Sequence, residues 1–272
     1  MNPVTLAIAA FITAAIGTLG GLGGAILLVP ILVLSGMEAK YAAPLGLVSV
    51  AAGSLAAAPH QLKAQVVNQR LGVATEIAAS SAALIGALVS GLLGHALLSV
   101  LLGVVALVAA FAGARRKGIR NLPDPTLSIA DVGEIPGTLA GVYPLGDEFV
   151  PYRANRLPLG LLGMGMAGLI SGLSGVGGGW VKTPTASEIM HVPVKVAAAT
   201  STFTVGVTAA VGLLVYESQG RIVISDAALV AAAGLIGGTV GVRLQHVLPP
   251  PLVRRGLSAI LAVIGVLLIV RR

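Results

Sequence analysis

Residues 168–204 read GLISGLSGVGGGWVKTPTASEIMHVPVKVAAATSTFT, and this stretch decides the fold of the chain. It is an apolar segment that a cluster of glycines interrupts. A weaker copy, AAIGTLGGLGGAILLVPILVLSGMEAKYAAPLGLVS, occupies residues 14–49. In each copy a proline follows a shared glycine by six residues, as Pro30 follows Gly24 and Pro184 follows Gly178. Since each glycine inside a helix costs about 1 kcal/mol relative to alanine, the copies predict two broken helices and a binding site where they break.

The composition is that of a membrane protein. Of the 272 residues, 56% are hydrophobic and 10% are charged, which excludes an ordinary soluble globular protein. The net charge of +7 does not indicate nucleic-acid binding, because the basic residues stand at the ends of apolar runs. The chain has no cysteine, and its four histidines lack metal-ligand spacing, so no metal or cofactor is predicted. The first apolar segment lacks a basic leader and a cleavage site, and we interpret it as a retained transmembrane helix.

The predicted fold is an all-α integral membrane protein with about eight transmembrane helices in two four-helix repeats. The first segment of each repeat is broken at its glycine cluster. The predicted spans cover residues 3–36, 41–58, 72–93, 96–113, 157–187, 194–215, 227–245 and 250–270. The first repeat is residues 1–113, a cytoplasmic linker is residues 114–156, and the second repeat is residues 157–272. Within the linker, residues 146–153 are expected to form a short strand.

The lysines and arginines predict the orientation in the cell (inner) membrane. With eight spans, most of them fall on the side of the termini and the linker, which predicts that these face the cytoplasm. This count puts Arg221 in the cytoplasm and Lys40 on the opposite side. If each glycine break is instead a re-entrant hairpin, the two halves have opposite orientations. Matching charges after the fourth and eighth spans favour halves that run the same way.

Several of these motifs together resemble those of the TauE/SafE family, also called the sulfite exporter or toluene-sulfonate uptake permease family. They are AGLISGLSGVGGGWVKTP at 167–184, VPVKVAAATSTFTVGVTAA at 192–210, GTLGGLGGAILLVPIL at 17–32 and GVRLQHVLPPPLVRR at 241–255. The resemblance implies a membrane transporter of small sulfur-containing anions such as sulfite or organosulfonates. The family usually has a threonine–serine pair in both halves, but the first half of this chain has Leu45-Gly46-Leu47 there. This departure predicts a lopsided site.

The glycine clusters form the centre of the predicted substrate site. Unwound backbone within a membrane lines a cavity or is buried in protein, and half-helix N-termini attract anions. We therefore predict substrate contacts from both clusters, at Gly20, Gly21, Gly23, Gly24, Gly175, Gly177, Gly178 and Gly179. The alternative is that these glycines only allow helices to cross closely.

Side chains that follow the second cluster extend this site. Lys182 is either a cation that attracts the anion or a lysine that snorkels to the membrane surface. Trp180 either lines the cavity or anchors at the interface. The hydroxyls of Thr200, Ser201 and Thr202 are donors for an oxyanion, with helix capping and interhelical hydrogen bonding as the alternative. Glu76 is expected in the first turn of the third span and receives no role.

These patterns favour a secondary transporter that works by alternating access and has a small anion as its substrate. Coupling to a proton or to sodium is a hypothesis, and a passive anion channel is the first alternative. A membrane-embedded enzyme is the second, because Gly172-x-Ser174-Gly175 resembles the nucleophile motif of intramembrane serine proteases. That chemistry also needs a histidine base on another span, so the chain is predicted not to be an enzyme. The sequence has no nucleotide-binding motif for a built-in ATPase.

Overall fold

The computed structural model describes residues 2–19, 24–115, 126–128, 132, 139–145, 148–244 and 250–270. Within these residues the chain forms ten α-helices, one π-helical turn and one β-hairpin. The helices are α1 Pro3–Leu19, α2 Ala25–Leu34, α3 Ala39–Lys63, α4 Gln69–Ser90, α5 His95–Arg115, α6 Leu157–Ser174, α7 Gly179–Pro184, α8 Val194–Ser218, α9 Ile224–Leu244 and α10 Pro250–Val270. The π-helical turn is Thr185–Ile189, and the strands are β1 Gly141–Leu145 and β2 Glu148–Tyr152.

Six of these helices, α3, α4, α5, α6, α8 and α9, are long and apolar enough to cross a membrane. Large apolar side chains on their outer faces are exposed, among them Leu55, Ile77 and Leu214. Such a surface is suited to lipid and not to water. The chain is therefore a multi-pass helical membrane protein, as its composition predicts.

The second broken segment is a helical hairpin and not one interrupted crossing. Helix α6 ends at Ser174, and Gly175 and Gly177 then adopt the left-handed backbone region, with φ of +71° and +83°. The chain turns back there, so that Gly178 lies against the backbone of Ala167, within α6. A single span over residues 157–187 is therefore wrong.

The returning arm of this hairpin consists of α7 and the π-helical turn. Thr185 packs on Gly163, and Met190 packs on Gly160, close to the start of α6. The backbone N–H of Asn155 donates to the carbonyl of Met190 at 2.9 Å. Both arms therefore reach the same end of the molecule, and the segment re-enters.

Helix directions follow from contacts between small residues. Helices α4 and α6 are parallel, and so are α1 and α9, where Gly237 lies against Phe11 and Gly241 against Ala15. Helices α5 and α10 are antiparallel, and so are α3 and α8. Glycines at these contacts let the backbones approach closely, as is common within membranes.

The linker end of the molecule carries the β-hairpin. The strand expected within residues 146–153 is β2, and it pairs antiparallel with β1. Tyr143 and Tyr152 are buried and belong to one hydrophobic cluster with Leu71, at the start of α4. The side chain of Asn68 caps α4 by accepting from the N–H of Leu71 and donates to the hydroxyl of Tyr152 at 2.9 Å.

The orientation predicted from charge is wrong in one respect. Arg221 and Lys40 lie at the same end of the structure, where the Arg221 guanidinium donates to the Lys40 carbonyl oxygen. Helices α1 and α10 begin and end the described chain at this end, while α5 leads to the linker at the other. The start of α1 and the end of α10 therefore lie at the end of the molecule opposite to the one from which α5 enters the linker. The count failed because it treated the second broken segment as a full crossing, whereas α7 returns along α6 and α3 and α8 run in opposite directions.

Candidate functional site

Lys182 lies at the centre of a polar cluster inside the helix bundle. Its side chain is only 2% exposed, so it does not snorkel to the surface. Its ammonium nitrogen lies 2.6 Å from Oε2 of Glu76 on α4. It also donates to the hydroxyls of Thr208, at 2.7 Å, and Thr204, at 3.4 Å, both on α8. The ion pair and these hydrogen bonds offset the cost of removing the charge from water.

Glu76 completes this cluster. It lies in the third turn of α4 and not in the first turn that the sequence predicts. Its Oε1 accepts hydrogen bonds from Thr208 and from Ser80, the latter at 2.7 Å. The side chain of Glu76 is 11% exposed. One network of charges and hydroxyls thus joins α4 to α7 and α8, which are distant from it in sequence.

The local sequence explains how α7 presents Lys182. The glycine turn ends at Gly178, whose carbonyl accepts from the N–H groups of Val181 and Lys182 and so starts a new helix. Pro184 lacks an N–H and cannot continue the regular pattern. A π-helical turn follows, closed by the N–H of Met190 donating to the carbonyl of Thr185. The short helix points its single charged side chain at α4 and α8.

A small cavity lies beside the ion pair, on the linker side. It is lined by Leu71, Thr75, Met164, Lys182, Ala186, Ala197, Thr200, Ser201 and Thr204. The structure therefore brings together three of the residues predicted from sequence, Lys182, Thr200 and Ser201. The hydroxyl oxygen of Thr200 accepts from the backbone N–H of Asn68 at 3.0 Å. Its proton has no protein acceptor among the described residues and is free to point to a ligand.

The glycines of the second cluster lie elsewhere. All four, Gly175 and 177–179, are buried, but none lines this cavity. A Cβ on Gly175 would overlap the backbone of Ala43 on α3, and one on Gly177 would lie 2.8 Å from a methyl of Val50. In this conformation Gly175 and Gly177 allow close approach to α3, which is the alternative weighed for these glycines, and Gly178 packs on Ala167 of α6.

The remaining predicted residues have other surroundings. Gly24 packs on Ala14. A Cβ on Gly24 would lie only 2.5 Å from the Cα of Ala14. Gly20, Gly21 and Gly23 lie outside the described residues. Trp180 is buried in the largest hydrophobic cluster, so it is neither at the interface nor on the cavity. Thr202 donates to the carbonyl of Ala198 in its own helix, at 2.9 Å.

Sequence reasoning missed Glu76, Ser80, Thr75 and Thr208. Two signals were present. Glu76 and Ser80 are four residues apart within an apolar segment, and so are Thr200, Thr204 and Thr208, which places each set on one helix face. An acidic residue well inside an apolar span is itself an indication of function.

The first half of the chain has no counterpart of the cluster. Aligning Gly24 with Gly178 places Leu28 where the second half has Lys182. Aligning Lys40 with Lys195 places Ser49 and Gly53 where it has Thr204 and Thr208. The polar cluster is therefore confined to one side of the α3–α8 contact.

The serine of the protease-like motif has a structural role. The Ser174 hydroxyl donates to the carbonyl of Ile170 at 2.6 Å and accepts from the N–H of Val176 at 3.3 Å. None of the histidines in the described residues hydrogen bonds to it, and Nδ1 of His95 accepts instead from the N–H of Ala39. The same residues contain no cluster of three potential metal ligands. Ser174 closes the end of α6.

Comparison with known proteins gave one match. The family model described as "Sulfite exporter TauE/SafE" matches residues 6–268, which is nearly the whole chain. No curated protein and no solved structure matches it.

Proposed function

Because the chain belongs to the sulfite exporter TauE/SafE family of membrane transporters, we propose that it is a secondary transporter of small sulfur-containing anions such as sulfite or organosulfonates. The observation that carries this proposal is the buried ammonium of Lys182 beside a cavity lined by hydroxyls. A lysine inside the membrane is costly, so a functional role for it is the default interpretation.

The chemistry of the cavity suits an oxyanion. Lys182 offers N–H donors and a positive charge, and Thr75, Thr200 and Ser201 offer hydroxyl donors around the same space. Sulfite and sulfonate oxygens are acceptors and need such donors. The apolar lining from Leu71 and Met164 suits a small organic group on the sulfur.

The helix contacts support transport by alternating access between two inverted repeats. Exchanging α1–α5 with α6–α10 maps each main contact onto another: α1–α9 corresponds to α6–α4, and α3–α9 to α8–α4. The pairs α3–α8 and α5–α10 map onto themselves. Inverted repeats allow two similar conformations that open to opposite sides of the membrane. On this proposal each repeat begins with a segment broken at its glycine cluster.

The positions of the basic residues support a cytoplasmic linker in the cell membrane and extracytoplasmic termini. The linker end of the structure carries Lys63, Arg70, Arg115, Arg153, Arg156, Lys195, Arg243 and Arg255. Among the described residues, the opposite end carries Lys40 and Arg221. This bias among the described residues follows the positive-inside rule.

The β-hairpin covers the cavity on the cytoplasmic side in this proposal. Tyr143 and Tyr152 share a buried cluster with Leu71, Met164 and Ala186, which line the cavity. Movement of the hairpin away from Asn68 opens the route to the cytoplasm. On this proposal, the described conformation is the one closed to the cytoplasm.

The test is uptake into proteoliposomes that contain the full-length protein. We expect uptake of radiolabelled sulfite or methanesulfonate and no uptake of acetate. Lys182→Met should lower uptake about tenfold or more, because a hydrogen bond to a charged group contributes about 1.5–3 kcal/mol. Lys195→Met, at an exposed lysine on α8, is the matched control and should transport as the wild type does. Transport of carboxylates alone would contradict the proposed substrate class, and strictly downhill flux would favour the passive channel.

A further inference from the structure

Glu76 is an acidic side chain at a site that we propose for an anion. Its carboxylate forms an ion pair with Lys182, with 2.6 Å between Oε2 and Nζ. An anionic substrate would need the same ammonium group. Two negative groups in one site repel each other unless one of them takes up a proton. Binding of the anion therefore requires a change at Glu76.

Apart from Lys182, the described residues around Glu76 offer no charge that could compensate for a second negative group. Helix α6 contains no charged residue, α7 contains only Lys182, and the charged residues of α8, Lys195 and Glu217, stand at its two ends. On the π-helical turn, the side chain of Glu188 is exposed. On α4 itself the other charged residue is Arg70, at the first turn. With its ion pair intact the site is neutral, and a further negative charge would leave it with a buried net charge.

We propose that Glu76 is the proton-binding residue that couples transport of the anion to protons. This inference rests on the proposed function above. For a monovalent anion, the ion pair takes up one anion and one proton and becomes a neutral carboxylic acid beside an ammonium–anion pair. An O–H bond forms on Glu76, no other covalent bond changes, and the net charge of the site stays zero. Release of the anion reverses the step, and Glu76 pairs with Lys182 again.

The geometry accommodates both states. Thr204 accepts from the Lys182 ammonium at 3.4 Å and also lines the cavity, so the ammonium is within reach of a ligand there. Thr208 and Ser80 donate to the ionised carboxylate. Each hydroxyl oxygen can also accept, so a protonated Glu76 keeps hydrogen-bond partners in the same places.

The test is the pH dependence of anion binding and uptake. Methanesulfonate is the probe for binding, because it keeps a single charge at every pH used. Uptake of one proton per anion should tighten its binding by up to about tenfold per pH unit of acidification. In proteoliposomes without a membrane potential, an acidic exterior should drive accumulation, and a trapped pH dye should report acidification of the interior.

Glu76→Gln resembles the protonated state permanently. It should bind methanesulfonate at high pH as tightly as the wild type does at low pH, and a proton gradient should no longer drive accumulation. Glu217→Gln removes the same charge at an exposed position of α8 and should keep the coupling of the wild type.

The inference is overturned if Glu76→Gln still accumulates anion in response to a proton gradient. It is also overturned if wild-type uptake carries no protons into the vesicle. The same holds if uptake depends on sodium and stops when choline replaces sodium. The dye measurement on the wild type decides the question even if the variant does not fold. Failure of the wild type to bind or exchange any sulfur oxyanion would instead reject the proposed function.

Discussion

Arg221 donates a hydrogen bond from Nε to the carbonyl oxygen of Lys40 at 3.0 Å, across 181 residues of sequence. The same guanidinium stacks on the ring of Tyr216 and donates to Ser90 at 2.8 Å. These contacts tie the end of α8 to the start of α3 and the end of α4. They show that α3 and α8 cross the bundle in opposite directions.

This relationship predicts a membrane topology that labelling can test. The chain has no cysteine, so single cysteines can be introduced without a background. Lys63→Cys, at the linker end, should be protected from a membrane-impermeant maleimide in intact cells, and Glu217→Cys, at the opposite end, should react. If both variants react, or if both are protected, the two positions face the same side of the membrane, as expected for halves that run the same way. Reaction of Lys63→Cys alone would reverse the orientation.

The buried ion pair predicts strong coupling between Lys182 and Glu76 in stability. Lys182→Met alone should lower the free energy of unfolding by about 3–5 kcal/mol, because it leaves a buried carboxylate without its partner. The double variant with Glu76→Gln should recover part of this loss. SDS titration of the purified protein measures all four corners of the cycle, and additive losses would show that the two residues are not coupled.

The glycine turn predicts a difference between two glycines that share a left-handed backbone. Gly175 has φ of +71° and lies against the backbone of Ala43, whereas Gly220 has φ of +66° and open space around it. Gly220→Ala should cost about 1–2 kcal/mol, the strain of an L residue in this region. Gly175→Ala should cost clearly more, because α3 must also move. Thermal unfolding in detergent compares them, and similar losses would mean that the contact with α3 adds nothing.

The β-hairpin predicts a stability change at alkaline pH. Burial raises the pKa of Tyr152 to about 12, from an ordinary value of 10.0. The folded state therefore holds its proton more tightly than the unfolded state does. This contribution to stability is complete below about pH 10 and is lost as the pH rises to about 12. Tyr152→Phe should lose less stability than the wild type between these pH values, as measured by the unfolding midpoint. If both proteins lose the same stability, the loss comes from the titration of groups other than Tyr152.

Part of the candidate site could be predicted, because local sequence marks it. Lys182, Thr200 and Ser201 stand within one short stretch, and the structure brings them onto one cavity. Glu76 was not identified as their partner, because it lies 106 residues from Lys182 in sequence. No local pattern states which of several helices will pack beside α7.

The sequence by itself determined the class of the protein, since hydropathy over about 20 residues decides whether a helix can cross a bilayer. It also predicted a break at the second glycine cluster, because glycine and proline act on the local backbone, and α6 ends there at Ser174. Only the tertiary structure decided that the second broken segment turns back and that α3 and α8 run in opposite directions. The reason is physical: a glycine turn permits either a kink or a reversal, and the packing of Gly178 on Ala167 and of Met190 on Gly160 selects the reversal. The same packing places Lys182 beside Glu76.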